Sequence, residues 1–318
     1  MKIVSLVTII CCFSMVFEVK GQREYPPHFD VAEEVTYKTV NGTKLNLWIF
    51  APEKHKSTDT KPAIVFFHGG SWKGGNPAQF EKHCEYLSAR GMVAIVADYR
   101  VKNRHGVPIK DCVSDTKSAI RWVRENASRL GVDSNRIAAG GGSAGGHLAA
   151  ACATLPKFDD EFENKSISSR PNALVLFNPA LVLAPIDDGE IISDEILAGM
   201  EKRMGTKPVN ISPYHHIVGK LPPTIIFHGT EDKAVPFKTI KLFTDRMHEF
   251  GNECTLVAYQ GKGHSFFNHS SFLDLKDSNA AFVDTVHKMD EFLVSLGYLK
   301  APPETVVSTN KSKNYNSE

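Results

Sequence analysis

Short continuous apolar runs recur along the chain, each followed by a stretch with helical spacing. The runs are Pro62 to Phe67, Met92 to Ala97, Ala173 to Phe177, Pro223 to Phe227 and Glu253 to Tyr259. A strand that is apolar at nearly every position is one buried on both faces. The intervening stretches place apolar residues on one stripe, as Phe80, Cys84 and Leu87 do between Pro77 and Arg90. Further helices are expected over Pro108 to Leu130, Pro236 to Phe250 and Asn279 to Leu296. Before this rhythm, Val35 to Val40 and Lys44 to Phe50 alternate around Asn41-Gly42, the signature of a hairpin. Alternating strands and helices predict an α/β fold, a mostly parallel twisted sheet with helices on both faces and right-handed crossovers. The rhythm breaks over residues 180–220, which read as a short cap-like insertion over the sheet.

The glycine-rich stretch Gly140 to Gly146 holds Ser143 between a short strand (Arg136 to Ala139) and a run of helix formers starting at His147. A strand, a sharp turn carrying a serine and a helix form the context of a nucleophile elbow. Gly141 and Gly145 are expected to give the turn room. No Lys-Ser/Thr pair follows, which excludes a Walker loop.

In open parallel sheets, functional residues gather at the carboxyl ends of strands. Three other strand ends carry suitable chemistry. Asp232 follows the strand at Phe227, and His264 follows the strand at Tyr259. A serine hydroxyl is a poor nucleophile until a base takes its proton; His264 suits that task, with Asp232 fixing its tautomer. Glu231 and His269 are the competing acid and base. His68-Gly69-Gly70-Ser71-Trp72 follows the strand at Phe67. The backbone N–H groups of Gly69, Gly70 and Ala144 are the expected oxyanion donors, and His68 is expected to brace their loop. Trp72, Tyr99, Tyr214 and Phe266, with Ile191, Ile192 and Leu197 of the insertion, are the candidates for lining a substrate pocket. His147 reads as a packed histidine. His215-His216 has no third ligand at convincing spacing, so no metal is expected, and no cofactor.

The chain of 318 residues, 42% hydrophobic, is long enough for one large domain, here residues 22–299. Its Lys+Arg 37 against Asp+Glu 36 leaves a net charge of +1, which gives no reason to expect nucleic acid. Residues 1–21 begin Met-Lys and continue as an apolar run, too short for a stable membrane span. They read as a signal peptide, so a secreted or periplasmic protein is expected. Residues 300–318 read as a flexible polar tail. Cys84, Cys112, Cys152 and Cys254 each lie in an apolar-periodic element and are expected as buried free thiols.

Taken together, His68-Gly69-Gly70 with Trp72, Asp98-Tyr99-Arg100, Gly141 to Gly146, Gly229 to Pro236 and Gly263-His264 resemble a secreted α/β-hydrolase fold esterase. The resemblance runs from about Val35 to Leu296. It is nearest the acetyl-esterase/feruloyl-esterase-like branch related to the hormone-sensitive-lipase-like esterases. Two positions depart from the latter: Gly142 stands where Asp is usual, and Ser71 where a third glycine is usual. The resemblance implies hydrolysis of short-chain carboxylic esters through an acyl-Ser143 intermediate. The expected partner is a small-molecule or polysaccharide-linked ester. An arylformamidase-type amidase and a non-catalytic binding protein on the same scaffold are the alternatives.

Overall fold

Asn41 and Gly42 both take positive φ, 50° and 77°, and turn the chain between β1 (Glu33–Val40) and β2 (Thr43–Phe50). The computed structural model describes residues 24–186, 194–273 and 279–301. The expected signal peptide, with Cys11 and Cys12, and the tail beyond residue 301 lie outside the described residues. The hairpin adds antiparallel strands to a sheet whose remaining members are β3 (Lys61–Phe67), β4 (Val93–Ala97), β5 (Val132–Gly142), β6 (Ala173–Phe177), β7 (Thr224–Gly229) and β8 (Cys254–Tyr259). The order is β1-β2-β4-β3-β5-β6-β7-β8, with β5 and β3 at its centre and β8 at one edge. β2 pairs antiparallel with β4, and every pairing from β4 to β8 is parallel.

The principal helices are α1 (Glu81–Ala89), α2 (Ile109–Glu125), α3 (Ala144–Thr154), α4 (Asp194–Met204), α5 (Phe237–Glu249) and α6 (Ala280–Ser295). The apolar strands divide their side chains between two cores. Ala63, Val65 and Phe67 join Val113, Leu148 and Phe243 on one face; Ile64 and Phe66 join Cys84, Val286 and Met289 on the other. The four cysteines at 84, 112, 152 and 254 are free and buried.

Two boundaries differ from the expected ones. The helix expected to run to Leu130 ends at Glu125, where the Asn126 backbone N–H and side-chain amide both donate to the Trp122 carbonyl (2.9 Å each). The strand expected to stop at Ala139 continues through the glycines, with Gly140, Gly141 and Gly142 paired to Val175, Leu176 and Phe177. Glycine is a poor strand former, and here close packing requires it. A Cβ on Gly140 lies 2.5 Å from the Phe66 ring, and one on Gly142 lies 2.5 Å from the Phe267 ring. The departure from Asp at position 142 therefore has a steric cause.

His83 sits within the second core among the rings of Phe66, Phe80, Phe177 and Phe282. Burial, with a small contribution from nearby His269, pushes its pKa down to about 3. The unfolded chain binds this proton near pH 6.5 and the folded chain does not, so stability falls as pH drops below about 6.5, by up to about 1.4 kcal/mol per pH unit. His83→Leu removes that component, and the variant loses less denaturation free energy than the wild type between pH 6.5 and pH 4. An unchanged acid slope would refute this account.

Candidate active site

Ser143 stands between the end of β5 and the start of α3 with φ 54° and ψ −116°, a conformation that side chains other than glycine rarely adopt. Its neighbours impose that conformation. The Ser143 N–H donates to the Phe177 carbonyl (2.8 Å), and its own carbonyl accepts from His147 N (3.0 Å) and Ala180 N (3.3 Å). The turn is tight enough that a Cβ on Gly145 falls 1.9 Å from the Phe67 carbonyl oxygen, and one on Gly141 falls 2.5 Å from Gly145. Both glycines are thus obligatory on steric grounds.

Ser143 Oγ donates to His264 Nε2 at 2.8 Å, and His264 Nδ1 donates to Asp232 Oδ2 at 2.7 Å. An ionised carboxylate only accepts, so Nδ1 carries the ring proton and Nε2 presents its lone pair to the serine. Ser143 and Asp232 are buried, whereas His264 keeps about 20% of its side-chain surface exposed. The structure therefore brings together the three residues expected from the sequence, and it leaves Glu231 exposed and His269 bonded to Ser271 (2.7 Å).

Asp232 is held at four points. Its Oδ1 accepts from Ala234 N (2.8 Å) and Val235 N (2.9 Å), and its Oδ2 accepts from His264 and from the Asn178 amide. Burial alone raises a carboxyl pKa, but the bonds from His264, Val235 and Asn178 outweigh it and hold Asp232 below its ordinary range. Asn178 is fully buried at the end of β6, with φ 45°. His228, also fully buried, lies 3.5 Å from Asp232 and bonds to the Val235 carbonyl (2.9 Å). Burial holds the His228 pKa below its ordinary value, against the pull of Asp232.

The loop after β3 corrects one expected donor. The Gly69 N–H is already engaged by Gln79 Oε1 at 2.6 Å, and the Gln79 amide donates to Asn268 Oδ1 at 2.8 Å. Gly69 serves close approach instead: a Cβ there lies 3.1 Å from the Gly142 carbonyl and 3.4 Å from Ser143 Cβ. The N–H groups of Gly70 and Ser71 find no acceptor among the described residues. Ala144, as the first residue of α3, has no intrahelical partner for its own. His68 braces the loop. Its Nδ1 donates to the Gly69 carbonyl (2.7 Å), and its ring stacks on Tyr99 with centroids 4.3 Å apart.

An apolar cavity of about 20 Å³ reaches Ala234 and Val235, whose N–H groups hold Asp232, and is lined by Trp72, Leu181, Leu183, Arg203 and Met204 among others. Of the four aromatic residues expected to line a pocket, Trp72 does so. Tyr99 is fully buried and spends its hydroxyl on the His68 carbonyl (2.7 Å). Tyr214 lies buried beneath the Arg246 guanidinium, and Phe266 packs on Tyr259 at 4.5 Å against the second core. Ile191, Ile192 and the Leu197 side chain lie outside the described residues. The insertion does contribute to the cavity, through its first residues and through the end of α4.

His147 is buried between the loop and the insertion. Trp72 Nε1 donates to its Nδ1 (3.2 Å), and its Nε2 donates to the Ile211 carbonyl (2.8 Å). Burial pushes its pKa down to about 4, against the pull of that carbonyl, so the ring is neutral. The His215 and His216 rings bond to carbonyls of Pro185 and Val209, and no metal-ligand group exists among the described residues.

A mostly parallel sheet with a serine at a strand-to-helix turn, and an acid and a histidine on the two last strand ends, defines the α/β-hydrolase class. Within that class, residues 47–247 match the BD-FAE family, more than half of the chain, and the chain belongs to it. Residues 208–296 also match the dienelactone hydrolase family. Isoprenylcysteine alpha-carbonyl methylesterase ICME of Arabidopsis thaliana is 34% identical over 219 residues, 64% of this chain and 50% of that protein. Esterase LipC of Mycobacterium tuberculosis is 28% identical over 250 residues, 70% of this chain and 56% of that protein. The chain thus spans about half the length of the curated relatives it matches. Among solved structures, the thermophilic esterase Est2 of Thermogutta terrifontis is 48% identical with a TM-score of 0.84, covering 89% of this chain and 99% of that one. The same esterase has been solved with butyrate bound and as an adduct phosphorylated by paraoxon.

Neither Asn178 nor Gln79 carries a sequence signal as plain as that of the triad. Asn178 could have been found as the residue ending β6, beside Pro179. Asn178→Ala removes one of the four bonds to the Asp232 carboxylate, each about 1.5–3 kcal/mol when made to a charged group. The rate at which Ser143 is labelled by a fluorophosphonate is expected to fall roughly 10-fold or more. An unchanged labelling rate would assign Asn178 to packing alone.

Proposed function

We propose that the protein is a serine carboxylesterase for short-chain esters, working through an acyl-Ser143 intermediate. The observation that carries this reading is the continuous chain of hydrogen bonds from Ser143 Oγ through His264 to Asp232, at 2.8 Å and 2.7 Å. In the first half-reaction His264 takes the serine proton as Oγ attacks the ester carbonyl, then gives it to the departing alcohol. The oxyanion that forms faces the unengaged N–H groups of Gly70 and Ala144, with Ser71 available beside them. Water then repeats the sequence on the acyl-enzyme. Asp232, held ionised by its four bonds, stabilises the imidazolium in both halves.

The relative solved with butyrate bound supports a short acyl group. The relative phosphorylated by paraoxon supports a reactive nucleophile in this scaffold. Export rests on the apolar run at the N-terminus and belongs to the same proposal.

Ser143→Ala is expected to lower kcat on p-nitrophenyl butyrate by about 10⁴-fold or more while leaving the thermal midpoint close to that of the wild type. Across acetyl, butyryl and octanoyl esters, kcat/KM is expected to fall at octanoyl. Full activity in Ser143→Ala, or turnover of N-formylkynurenine in preference to every ester, would overturn the proposal.

A further inference from the structure

The loop that supplies the oxyanion donors is built from three consecutive residues with positive φ: Gly70 at 116°, Ser71 at 56° and Trp72 at 57°. Glycine adopts such angles freely, but serine and tryptophan do not. A segment of this kind persists only where its surroundings over-determine it. Among the described residues, contacts that hold Ser71 and Trp72 come from three directions. The Trp72 carbonyl accepts from Lys102 N (3.0 Å), and its indole N–H donates to His147. The third set comes from the insertion. Arg203, in the last turn of α4, donates through Nη2 to the Ser71 carbonyl (3.2 Å), and its guanidinium stands over the Trp72 ring, 5.6 Å from the centroid.

The carbonyl that Arg203 holds belongs to the peptide plane joining Ser71 to Trp72, which adjoins the plane carrying the Ser71 N–H. The same side chain, with neighbouring Met204, lines the apolar cavity. A cation set among apolar walls is costly to desolvate, and burial does lower the Arg203 pKa. Its placement is therefore poorly explained by a need for an apolar wall, which Met or Leu would serve better. It is well explained by geometry. A planar guanidinium can lie against an aromatic face and direct an N–H to a carbonyl at the same time.

We propose that Arg203 is a positioning residue for the oxyanion loop, through which the cap-like insertion holds Ser71 and Trp72 in the left-handed conformation that aims the donors at the reacting carbonyl. The inference rests on the esterase reading above. Its consequence is that the insertion acts on the chemical step as well as on binding. A donor set that is preorganised stabilises the transition state more than the ground state, so loss of the clamp falls on kcat.

The test compares wild type, Arg203→Met and Arg203→Lys on p-nitrophenyl acetate and p-nitrophenyl butyrate, together with the thermal midpoint and the rate of fluorophosphonate labelling. In Arg203→Met, kcat is expected to fall about 10-fold or more on both esters, with KM within about twofold of the wild-type value. The labelling rate falls in parallel, because phosphonylation also develops charge on an oxygen in the donor set. Arg203→Lys keeps a donor that reaches the Ser71 carbonyl but loses the planar stack, and its kcat falls between the other two. If the Met variant does not fold, the Lys variant decides by the same split of kcat from KM. A rise in KM at constant kcat would make Arg203 a cavity wall and overturn the proposal, as would unchanged kinetics in both variants. A wild type that neither labels nor hydrolyses either ester overturns the esterase reading and this inference together. An active wild type with unaffected Arg203 variants overturns this inference alone.

Discussion

The approach of α3 to β3, backbone against backbone, is the constraint on which the site depends. A single methyl group on Gly145 would overlap the Phe67 carbonyl, so no residue but glycine allows the helix to start where it does. That start fixes the position of the Ala144 N–H and turns the Ser143 hydroxyl out of the sheet. It also brings the end of β5 beside the end of β3, where the loop carrying Gly70 begins. The nucleophile and the oxyanion donors are thus registered to each other by sheet hydrogen bonding and close packing, with no flexible linker between them.

The acid and base are registered in a similar way. Asp232 and His264 leave from β7 and β8, and their loops meet through hydrogen bonds and a close backbone approach, with a Cβ on Gly229 falling 2.2 Å from the Lys262 carbonyl oxygen. Asp232 needs its many donors because it is buried. A buried carboxylate with fewer bonds would take up a proton and cease to orient the imidazole. Asn178 on β6 and the N–H groups of Ala234 and Val235 supply that support, and they keep the ionised form favoured despite burial.

The residues legible in the sequence were those whose chemistry and position on a strand coincide. Ser143, Asp232 and His264 each follow an apolar run, and the order of the three is characteristic. The alternation of runs and stripes likewise made the parallel sheet and its two helical faces readable. The rest was hidden for specific reasons. Gly140 to Gly142 look like a turn, because glycine lacks strand propensity; their strand pairing follows from the Phe66 and Phe267 rings, which lie far away in sequence. Gly69 has the composition of an oxyanion donor, but whether its N–H is free depends on Gln79, whose position carries no motif. Tyr99, Tyr214 and Phe266 are aromatic near strand ends or in the insertion, and a ring that lines a pocket has the same sequence signature as one that braces a loop. Only the partner of the Tyr99 hydroxyl distinguishes the two.

The sheet order has a consequence for how the molecule ages under heat. β5, which carries Ser143, has β3 on one side and β6 on the other; β8, which leads to His264, has β7 on one side and, among the described residues, no strand on the other. Strands with one neighbour open locally at lower free energy than strands with two. The nucleophile therefore resides in the most durable part of the molecule, and the base that activates it resides at the margin. Fraying of that edge strand carries His264 away from Ser143 while the central strands stay paired, so the triad comes apart at the margin of the sheet before its centre opens.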